Sequence, residues 1–238
     1  MLDYFHYNGY DSFEFGLITT GLKTYGAPNR RVETVHVRGR NGDLLIDEGC
    51  FDNIIVSYDV AVIKDFPVNA RDIAQWLLSS SGYHELSDSY NPEYSRQATY
   101  FNALDFDVEA LRKQGKATIS FYARPERYAV VPSSTKTGNG TITLTNPYGF
   151  TAKPLIKVTG AETITVDSVL TIKINQVVNN QVYIDCETMQ CYSGTTNCNQ
   201  YVEVTDFPVI PPYATVNFVI TGRGTGKVTT ITPRWWRL

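Results

Sequence analysis

The sequence predicts an all-β protein of two domains, with one or two helices confined to the first domain. Tyrosine and phenylalanine are abundant, at 16 and 11 residues, and such side chains favour pleated, half-buried surfaces. Short runs of alternating apolar and polar residues recur along the chain, and turn residues separate them. The 238 residues are enough for two domains of ordinary size, each with its own core.

The first predicted strands follow one another closely. Apolar residues at every second position over 54–62 indicate a strand with one buried face. Before it, Asn41-Gly42 stands between a Val-rich and a Leu-rich run. This step predicts a hairpin closed by a type I′ turn, because such a turn needs positive φ at both central residues.

One helix is predicted near 69–80. Apolar residues recur there at helical spacing, at Ala70, Ile73, Ala74 and Leu77. We expect Asn69 to cap the start of this helix and Gly82 to close its end.

The rest of the first domain is predicted to return to strands after a turn at 89–92. Alternation over 98–108 and again over 117–123 predicts an antiparallel pair connected by 109–115. Asp105, Asp107 and Glu109 would share one face of the first of these strands. A Ca²⁺ ion would need more ligands from a turning loop, so a solvated strand face is the favoured interpretation.

A stretch poor in large apolar residues, 131–140, predicts the boundary between domains 1–130 and 131–238. Beyond it, short alternating runs at intervals of roughly ten residues predict a second β-sandwich. The glycine-rich segment from Gly222 to Lys227 is followed by a predicted strand. It is therefore interpreted as a hairpin turn, since a phosphate loop requires a following helix.

Charge and hydropathy exclude several classes of protein. The formal net charge is -3, whereas nucleic-acid binders usually carry a clustered basic face. No apolar run approaches the roughly 20 residues that span a bilayer, so no membrane association is predicted. The first residues, Met1 to His6, have neither a basic region nor an apolar core, so no signal peptide is predicted.

No metal site, cofactor or catalytic group is predicted. Cys186, Cys191 and Cys198 lie close in sequence, but their spacing departs from the paired cysteines of zinc sites. Reduced thiols are the favoured interpretation of these three and of Cys50. With three histidines and no nucleophile elbow, nothing indicates nucleophilic catalysis, while a carboxylate pair of the glycosidase type stays open.

The terminal segment Pro233-Arg234-Trp235-Trp236 is strongly aromatic. Exposed tryptophan beside arginine could stack on sugars. The favoured interpretation is that the tryptophans dock into the core or into a subunit contact, because so apolar a terminus must be tied down.

Motifs along the whole chain resemble the distal tail (Dit) proteins of long-tailed phages that infect Gram-positive bacteria, and their order and spacing carry the resemblance. In the first half they are 37–43, Trp76-Leu77 at the helix end, 90–96, and 123–127 with Pro125 and Arg127. In the second half they are 182–187, the run from Phe207-Pro208 to Pro212, and Pro233-Arg234-Trp235-Trp236. The chain departs from the family after Phe207-Pro208, where 210–214 lacks the glycine of many members.

The resemblance implies a structural role at the virion tail tip. Such proteins form a hexameric ring, single or as two rings back to back, from an N-terminal β-sandwich with a helix. A galectin-like C-terminal sandwich projects outward. The ring joins the major tail tube protein to the tail-associated lysin or fibre protein, and its outer domains can anchor receptor-binding proteins. DNA passes through the channel without specific binding, and synthesis takes place in the bacterial host cytoplasm.

A ring contact is predicted at the Arg-rich turn, with the strands around 38–63 contributing to it. Arg38 and Arg40, beside Asn41 and Gly42, could reach an acidic neighbour. Two other functions stay open. A lectin-like host-recognition protein predicts exposed aromatic residues on a concave sheet, and a wall hydrolase predicts a pocket with paired carboxylates or a histidine-supported nucleophile.

Overall fold

The computed structural model describes residues 3–21, 26–62, 66–109, 114–222, 224 and 226–238. Within them the chain is mostly strand, with a single α-helix, so the predicted all-β fold class is confirmed. The chain divides into two compact units, Met1–Val130 and Val131–Arg237. No helix in the described part of the chain is long and apolar enough to cross a membrane.

The first unit holds strands β1 to β11 and helix α1. In chain order its elements are β1 (Phe5–Tyr7), β2 (Tyr10–Asp11), a 3-10 turn (Ser12–Phe15), β3 (Leu17–Thr20), β4 (Arg30–Val35), β5 (Leu44–Phe51), β6 (Ile54–Val62), α1 (Phe66–Leu78), β7 (His84–Asp88), β8 (Tyr94–Thr99), β9 (Asp107–Glu109), β10 (Gln114–Ala123) and β11 (Arg127–Ala129). The main sheet follows the order β2-β1-β7-β8-β10-β6-β3, with β9 beside β10 and β11 beside β8. β4 and β5 form a separate sheet of two strands.

An aromatic core lies between the main sheet and α1. The indole of Trp76, only 6% exposed, stacks on Phe15 with ring centroids 4.6 Å apart and on Phe5 at 5.8 Å. Its N–H donates to the carbonyl of Tyr7 at 3.1 Å, so the one polar atom of the ring is satisfied. Leu77 on the same helix is fully buried. Trp76 and Leu77 therefore anchor α1 to the sheet.

The predicted helix exists, but its bounds differ from the prediction. It begins at Phe66 and ends at Leu78, so Asn69 lies inside it and does not cap it. Pro67 occupies the first turn, where a missing backbone N–H costs no helical hydrogen bond. Gly82 lies four residues beyond the end, at φ 91°.

The strand over 54–62 and the turn at 89–92 are both confirmed. The prediction of one strand over 98–108 is wrong in most of its length, because β8 ends at Thr99 and β9 contains only three residues. The hydroxyl of Tyr100 donates to the carbonyl of Ala103 at 3.1 Å, within the irregular segment. The predicted antiparallel pairing is present at the two ends of this segment: Ala98 and Thr99 of β8 pair with Ala123 and Tyr122 of β10, and β9 pairs with the start of β10.

The second unit holds strands β12 to β23. In chain order its elements are β12 (Ser134–Thr137), β13 (Gly140–Thr145), β14 (Leu155–Val158), β15 (Glu162–Val166), β16 (Leu170–Ile174), β17 (Val182–Asp185), β18 (Gln190–Ser193), β19 (Thr196–Asn197), a 3-10 turn (Asn199–Tyr201), β20 (Val202–Val204), β21 (Thr215–Thr221), β22 (Val228–Thr232) and β23 (Trp236–Arg237). Two antiparallel sheets result, ordered β12-β22-β14-β17-β18-β19 and β13-β21-β15-β16-β20.

Each of these sheets buries one face, as a sandwich requires. Ile156 and Ile184 of the six-stranded sheet are fully buried, and so are Ile164 and Phe218 of the five-stranded sheet. The alternation of apolar and polar residues in this half of the chain therefore corresponds to strands that each bury one face in the core between the two sheets. The stretch 131–140, predicted as a boundary, includes β12, which pairs with β22.

The predicted hairpin at the glycine-rich segment is wrong. β21, before the segment, and β22, after it, belong to opposite sheets. β21 already pairs with β13 and β15 on its two edges, and β22 pairs with β12 and β14, so neither has an edge left for the other. Arg223 and Thr225 of this segment lie outside the described residues.

Candidate assembly surface

The β4–β5 hairpin stands apart from the main sheet of the first unit. Its strands pair in one register from Val35 opposite Leu44 to Val32 opposite Asp47, and the register shifts between Val32 and Arg30, which lies opposite Phe51. Gly49 at φ 72° lies in the same region of β5, and its N–H donates to Asp47 at 2.9 Å. A two-stranded ribbon is at best marginally stable in water without a surface to pack against.

Aliphatic side chains of this hairpin are exposed on both of its faces. Leu44 and Ile46 point to one face and Leu45, 66% exposed, to the other. Val32 adds to the face of Leu45. Since neither face is covered within the described part of the chain, the hairpin presents apolar area that is free to be buried against another molecule.

Ion pairs stiffen the base of the hairpin. Arg30 donates to Asp47 at 2.7 Å and lies over the ring of Phe51 at 5.6 Å, and Arg31 donates to Asp52 at 2.6 Å. The hydrogen bond from Arg30 holds the pKa of Asp47 below its ordinary value. These contacts connect the two strands at the base of the hairpin, where the register shifts, and leave the outer surfaces exposed.

The tip of the hairpin carries the four predicted contact residues, Arg38, Arg40, Asn41 and Gly42, all exposed. The predicted type I′ turn is wrong, because eight residues connect Val35 to Leu44 and Asn41 does not have a positive φ. Positive φ angles belong instead to Gly39 (79°) and Gly42 (77°). The N–H of Arg40 donates to the carbonyl of Val37 at 3.2 Å, so the chain turns before Asn41-Gly42.

Both tip arginines lack an ion-pair partner among the described residues. His36 beside them bonds Asp43 at 3.2 Å, whereas no carboxylate lies within ion-pair distance of Arg38 or Arg40. The tip therefore presents two exposed guanidinium groups beside the exposed aliphatic residues, and each guanidinium group is able to bind a carboxylate at two points.

Two other signature residues of the first unit, Pro125 and Arg127, lie at a corner of the chain near β11. Pro125 is buried and Arg127 is half-buried on β11. The guanidinium of Arg96 donates to the carbonyls of Arg124 at 3.1 Å and Pro125 at 2.6 Å, which holds this corner of the chain in place. Burial, followed by the charge of Arg127, lowers the pKa of Arg96 to about 10.

The loop at Phe207 and Pro208, the latter buried, is held by Asn146. The side-chain amide of Asn146 donates to the carbonyls of Phe150 (2.8 Å), Ile210 (3.2 Å) and Pro211 (3.1 Å). Within 210–214, where this chain has no glycine, Tyr213 adopts φ 55°. A non-glycine residue in the left-handed region is uncommon and carries some strain.

The terminal signature makes side-chain contacts with residues of the second unit. Pro233 and Trp235 are buried, and Trp236 stacks on Phe150 with ring centroids 4.2 Å apart. The indole N–H of Trp236 donates to the carbonyl of Thr151 at 2.9 Å. Arg234 bonds Asp185, a partner that neither composition nor spacing points to.

The cysteines are free thiols, and Cys186, Cys191 and Cys198 are buried. Burial, followed by the charge of Asp185, raises the pKa of Cys186 to about 12. Burial also raises the pKa of Cys191 to about 11. Across the described ranges, no group of three or more His, Cys, Asp and Glu side chains is arranged to hold a metal ion.

Solved structures of phage tail proteins share this fold from end to end. The chain matches the crystal structure of the SPP1 Dit (gp 19.1) protein, described as a paradigm of the hub adsorption apparatus in phages infecting Gram-positive hosts. The TM-score is 0.67 at 14% sequence identity, over 100% of both chains. No family model and no curated protein matches the sequence.

Chains of the phage p2 baseplate are also similar. In its activated conformation with Sr the TM-score is 0.57 at 8% identity, over 98% of both chains. In the activated conformation with Ca it is 0.58 at 8% identity, over 97% of this chain and 98% of the other. The predicted resemblance to distal tail proteins is therefore confirmed in the fold.

Proposed function

We propose that this chain, which has the fold of a distal tail protein over its full length, is a non-enzymatic structural subunit of a phage tail tip. The observation that carries the proposal is the β4–β5 hairpin. It is a two-stranded ribbon whose aliphatic side chains are exposed on both faces, and the arginines at its tip have no ion-pair partner among the residues that the structure describes. A surface of this kind is stabilised when another subunit covers it.

The assembly is a closed ring. In a head-to-tail contact one surface of each copy meets a different surface of the next, and such contacts generate a ring when the rotation closes. The hairpin of the first unit supplies one half of the contact. We propose a hexamer, single or as two rings back to back, with 1–130 forming the ring and 131–238 facing outward.

The ring connects the major tail tube protein to the tail-associated lysin or fibre protein, and its outer sandwiches anchor receptor-binding proteins. The net charge of -3 supports a channel that DNA crosses without being held, because a phosphate-binding surface would be basic. The site of action is the tail tip of the virion.

The lectin-like alternative receives less support from the aromatic residues of the second unit. Tyr183 and Tyr192 are neighbours on the outer face of the six-stranded sheet, but they stack on each other with ring centroids 5.5 Å apart. The ammonium group of Lys157, from the strand on the other side, lies 5.6 Å from the ring centre of Tyr183. Tyr183 thus has no open ring face for a sugar to stack on.

The hydrolase alternative finds little support in the first unit. In the shallow cleft at His6, the imidazole bonds Asp11 at 3.0 Å. The hydroxyl of Ser89 in the same cleft donates to Asp3 at 3.1 Å and accepts the N–H of Tyr4, so it is not directed at the imidazole. A histidine-supported nucleophile would need that contact.

The test is the mass and shape of the purified full-length protein, measured by light scattering and negative-stain imaging. We expect hexameric rings, and we expect Leu45→Glu to disperse them, because a charge at the centre of an apolar contact is costly to bury. Val169→Glu is the matched control, since this aliphatic residue, 77% exposed, lies in the second unit and its substitution should leave the rings intact.

A monomer that binds host wall polysaccharide would overturn the proposal in favour of the lectin-like alternative. Clearing of a peptidoglycan zymogram would overturn it in favour of the hydrolase. Rings that survive Leu45→Glu as well as Val169→Glu would remove the hairpin from the contact.

A further inference from the structure

The chain contains three Asn-Gly steps, at Asn8, Asn41 and Asn139. The side-chain carbonyl carbon of an asparagine can be attacked by the main-chain nitrogen of the next residue. A glycine in that next place hinders the attack least, because it has no Cβ. All three steps share this local chemistry, so a difference in reactivity between them has to come from the folded structure.

The structure restrains the Asn8-Gly9 step. These two residues, at φ 50° and 85°, form a tight turn between β1 and β2, and the flanking Tyr7 and Tyr10 are paired. The side-chain amide of Asn8 donates to the hydroxyl of Ser80 at 2.9 Å. The side chain has to give up this hydrogen bond before its carbonyl carbon can approach the nitrogen of Gly9.

The sheet restrains the Asn139-Gly140 step. Gly140 is the first residue of β13 and lies opposite Ile220 of β21. The side chain of Lys136 packs against Gly140. Although Asn139 is exposed, the main chain that follows it is fixed by this pairing, so its approach to the nitrogen of Gly140 requires the end of β13 to open.

The Asn41-Gly42 step has none of these restraints. It lies in the loop 36–43, beyond the paired strands of the hairpin, and both residues are exposed. Within the part of the chain that the structure describes, neither the side chain of Asn41 nor the N–H of Gly42 has a hydrogen-bond partner. An exposed loop without such bonds changes conformation at little cost in free energy. We propose that Asn41 is a site of spontaneous deamidation, with water as the co-reactant.

The reaction needs nothing besides water. The nitrogen of Gly42 bonds to Cγ of Asn41, the bond from Cγ to the amide nitrogen breaks, and ammonia leaves with the proton of the Gly42 nitrogen. Water then opens the five-membered imide at one of its two carbonyl carbons. The product is aspartate or isoaspartate at position 41, and isoaspartate also lengthens the main chain by one methylene group.

Either product adds a negative charge at neutral pH, close in sequence to Arg38 and Arg40. Deamidation therefore lowers the positive charge of the hairpin tip, which the proposed function places in a subunit contact. The modification itself does not depend on that function, because it follows from the exposure and the missing hydrogen bonds of the loop.

The test is peptide mass spectrometry of the full-length Leu45→Glu chain during incubation at mildly alkaline pH. Leu45 is exposed, so the substitution leaves the fold intact, and a dispersed chain keeps the tip uncovered. We expect Asn41 to convert at least about tenfold faster than Asn8 and Asn139, which corresponds to a barrier lower by about 1.4 kcal/mol. In urea the three rates should approach one another, because only the local sequence then acts.

Asn41→Gln is the matched control and should remove the fast conversion, because its longer side chain would have to close a larger ring. The assignment is wrong if Asn41 in the folded chain converts no faster than Asn139, or if the difference between them persists in urea. In wild-type rings the conversion of Asn41 should be slower than in the Leu45→Glu chain. Equal fast rates in the two proteins would uphold the modification site and remove the hairpin tip from the subunit contact, so the two proposals fail separately.

Discussion

Arg234 and Asp185 form a two-point ion pair within the second unit. Nη1 of Arg234 lies 2.7 Å from Oδ1 of Asp185, and Nη2 lies 3.1 Å from Oδ2. The side chains are 23% and 8% exposed, so the pair is largely withdrawn from water. Asp185 also accepts the backbone N–H groups of Glu187 at 2.9 Å and Thr188 at 3.3 Å. The segment before the terminal tryptophans is thereby bonded to the turn after β17.

Arg234→Gln is expected to destabilise the second unit by about 2–4 kcal/mol, because it leaves the buried carboxylate of Asp185 without its counter-charge. The measurement is urea unfolding followed by tryptophan fluorescence. The control is Lys173→Gln, which removes an exposed pair with Glu203 at 3.6 Å and should cost much less, because water screens the charges of this pair. Equal losses for the two variants would contradict a special role of the Arg234 pair.

Acid is expected to weaken the second unit through the same carboxylate. Burial acts to raise the pKa of Asp185, but the hydrogen bond and charge of Arg234 and two backbone N–H groups outweigh it, so the pKa lies below 3.8. A lowered pKa in the folded state adds stability that is complete above the unfolded value and is lost as the pH falls through the folded value. Unfolding free energies measured against pH should therefore fall more steeply below pH 3.8 for wild type than for Asp185→Asn. Parallel curves would disprove this linkage.

Thiol labelling is expected to separate Cys50 from the other cysteines. The pKa of Cys186, raised to about 12, and that of Cys191, raised to about 11, keep both as buried thiols at neutral pH, and only the thiolate reacts. In the native protein, an aromatic disulfide reagent should react at Cys50, which is half-buried. In the unfolded protein, the same reagent should react at all four cysteines. Cys50→Ser should abolish native labelling; persistent labelling in this variant would show that the buried thiols are reached.

Trp76→Ala is expected to destabilise the first unit by about 3–5 kcal/mol, because it empties the space between Phe5 and Phe15 and leaves the carbonyl of Tyr7 without its donor. Thermal and urea unfolding measure this loss. Leu78→Ala, at the end of the same helix, is the control and should cost less than about 1 kcal/mol, since Leu78 is 52% exposed. A similar loss in both variants would mean that the helix as a whole, and not the indole, is responsible.

Local patterns predicted the elements whose character depends on their own residues. The strand over 54–62 could be predicted because alternate burial on a sheet repeats every two residues, and this repeat is visible in the sequence. The start of α1 could have been predicted as well, since Pro67 is typical of a first helical turn. The prediction of a strand over 98–108 was wrong because alternation there has another cause. Leu104 and Phe106 pack against the core at alternate positions, although most of this segment does not pair with a neighbouring strand.

The sequence by itself determined that the chain is β-rich, where most strands lie and that the tip of one hairpin is charged. Only the tertiary structure decided that β21 and β22 enter opposite sheets, because pairing depends on which edges are already occupied. It also decided that Arg234 bonds Asp185, 49 residues away in the chain. The exposure of Leu44, Leu45 and Ile46 could not be predicted either, because an apolar run looks the same in a core and on a surface awaiting a partner.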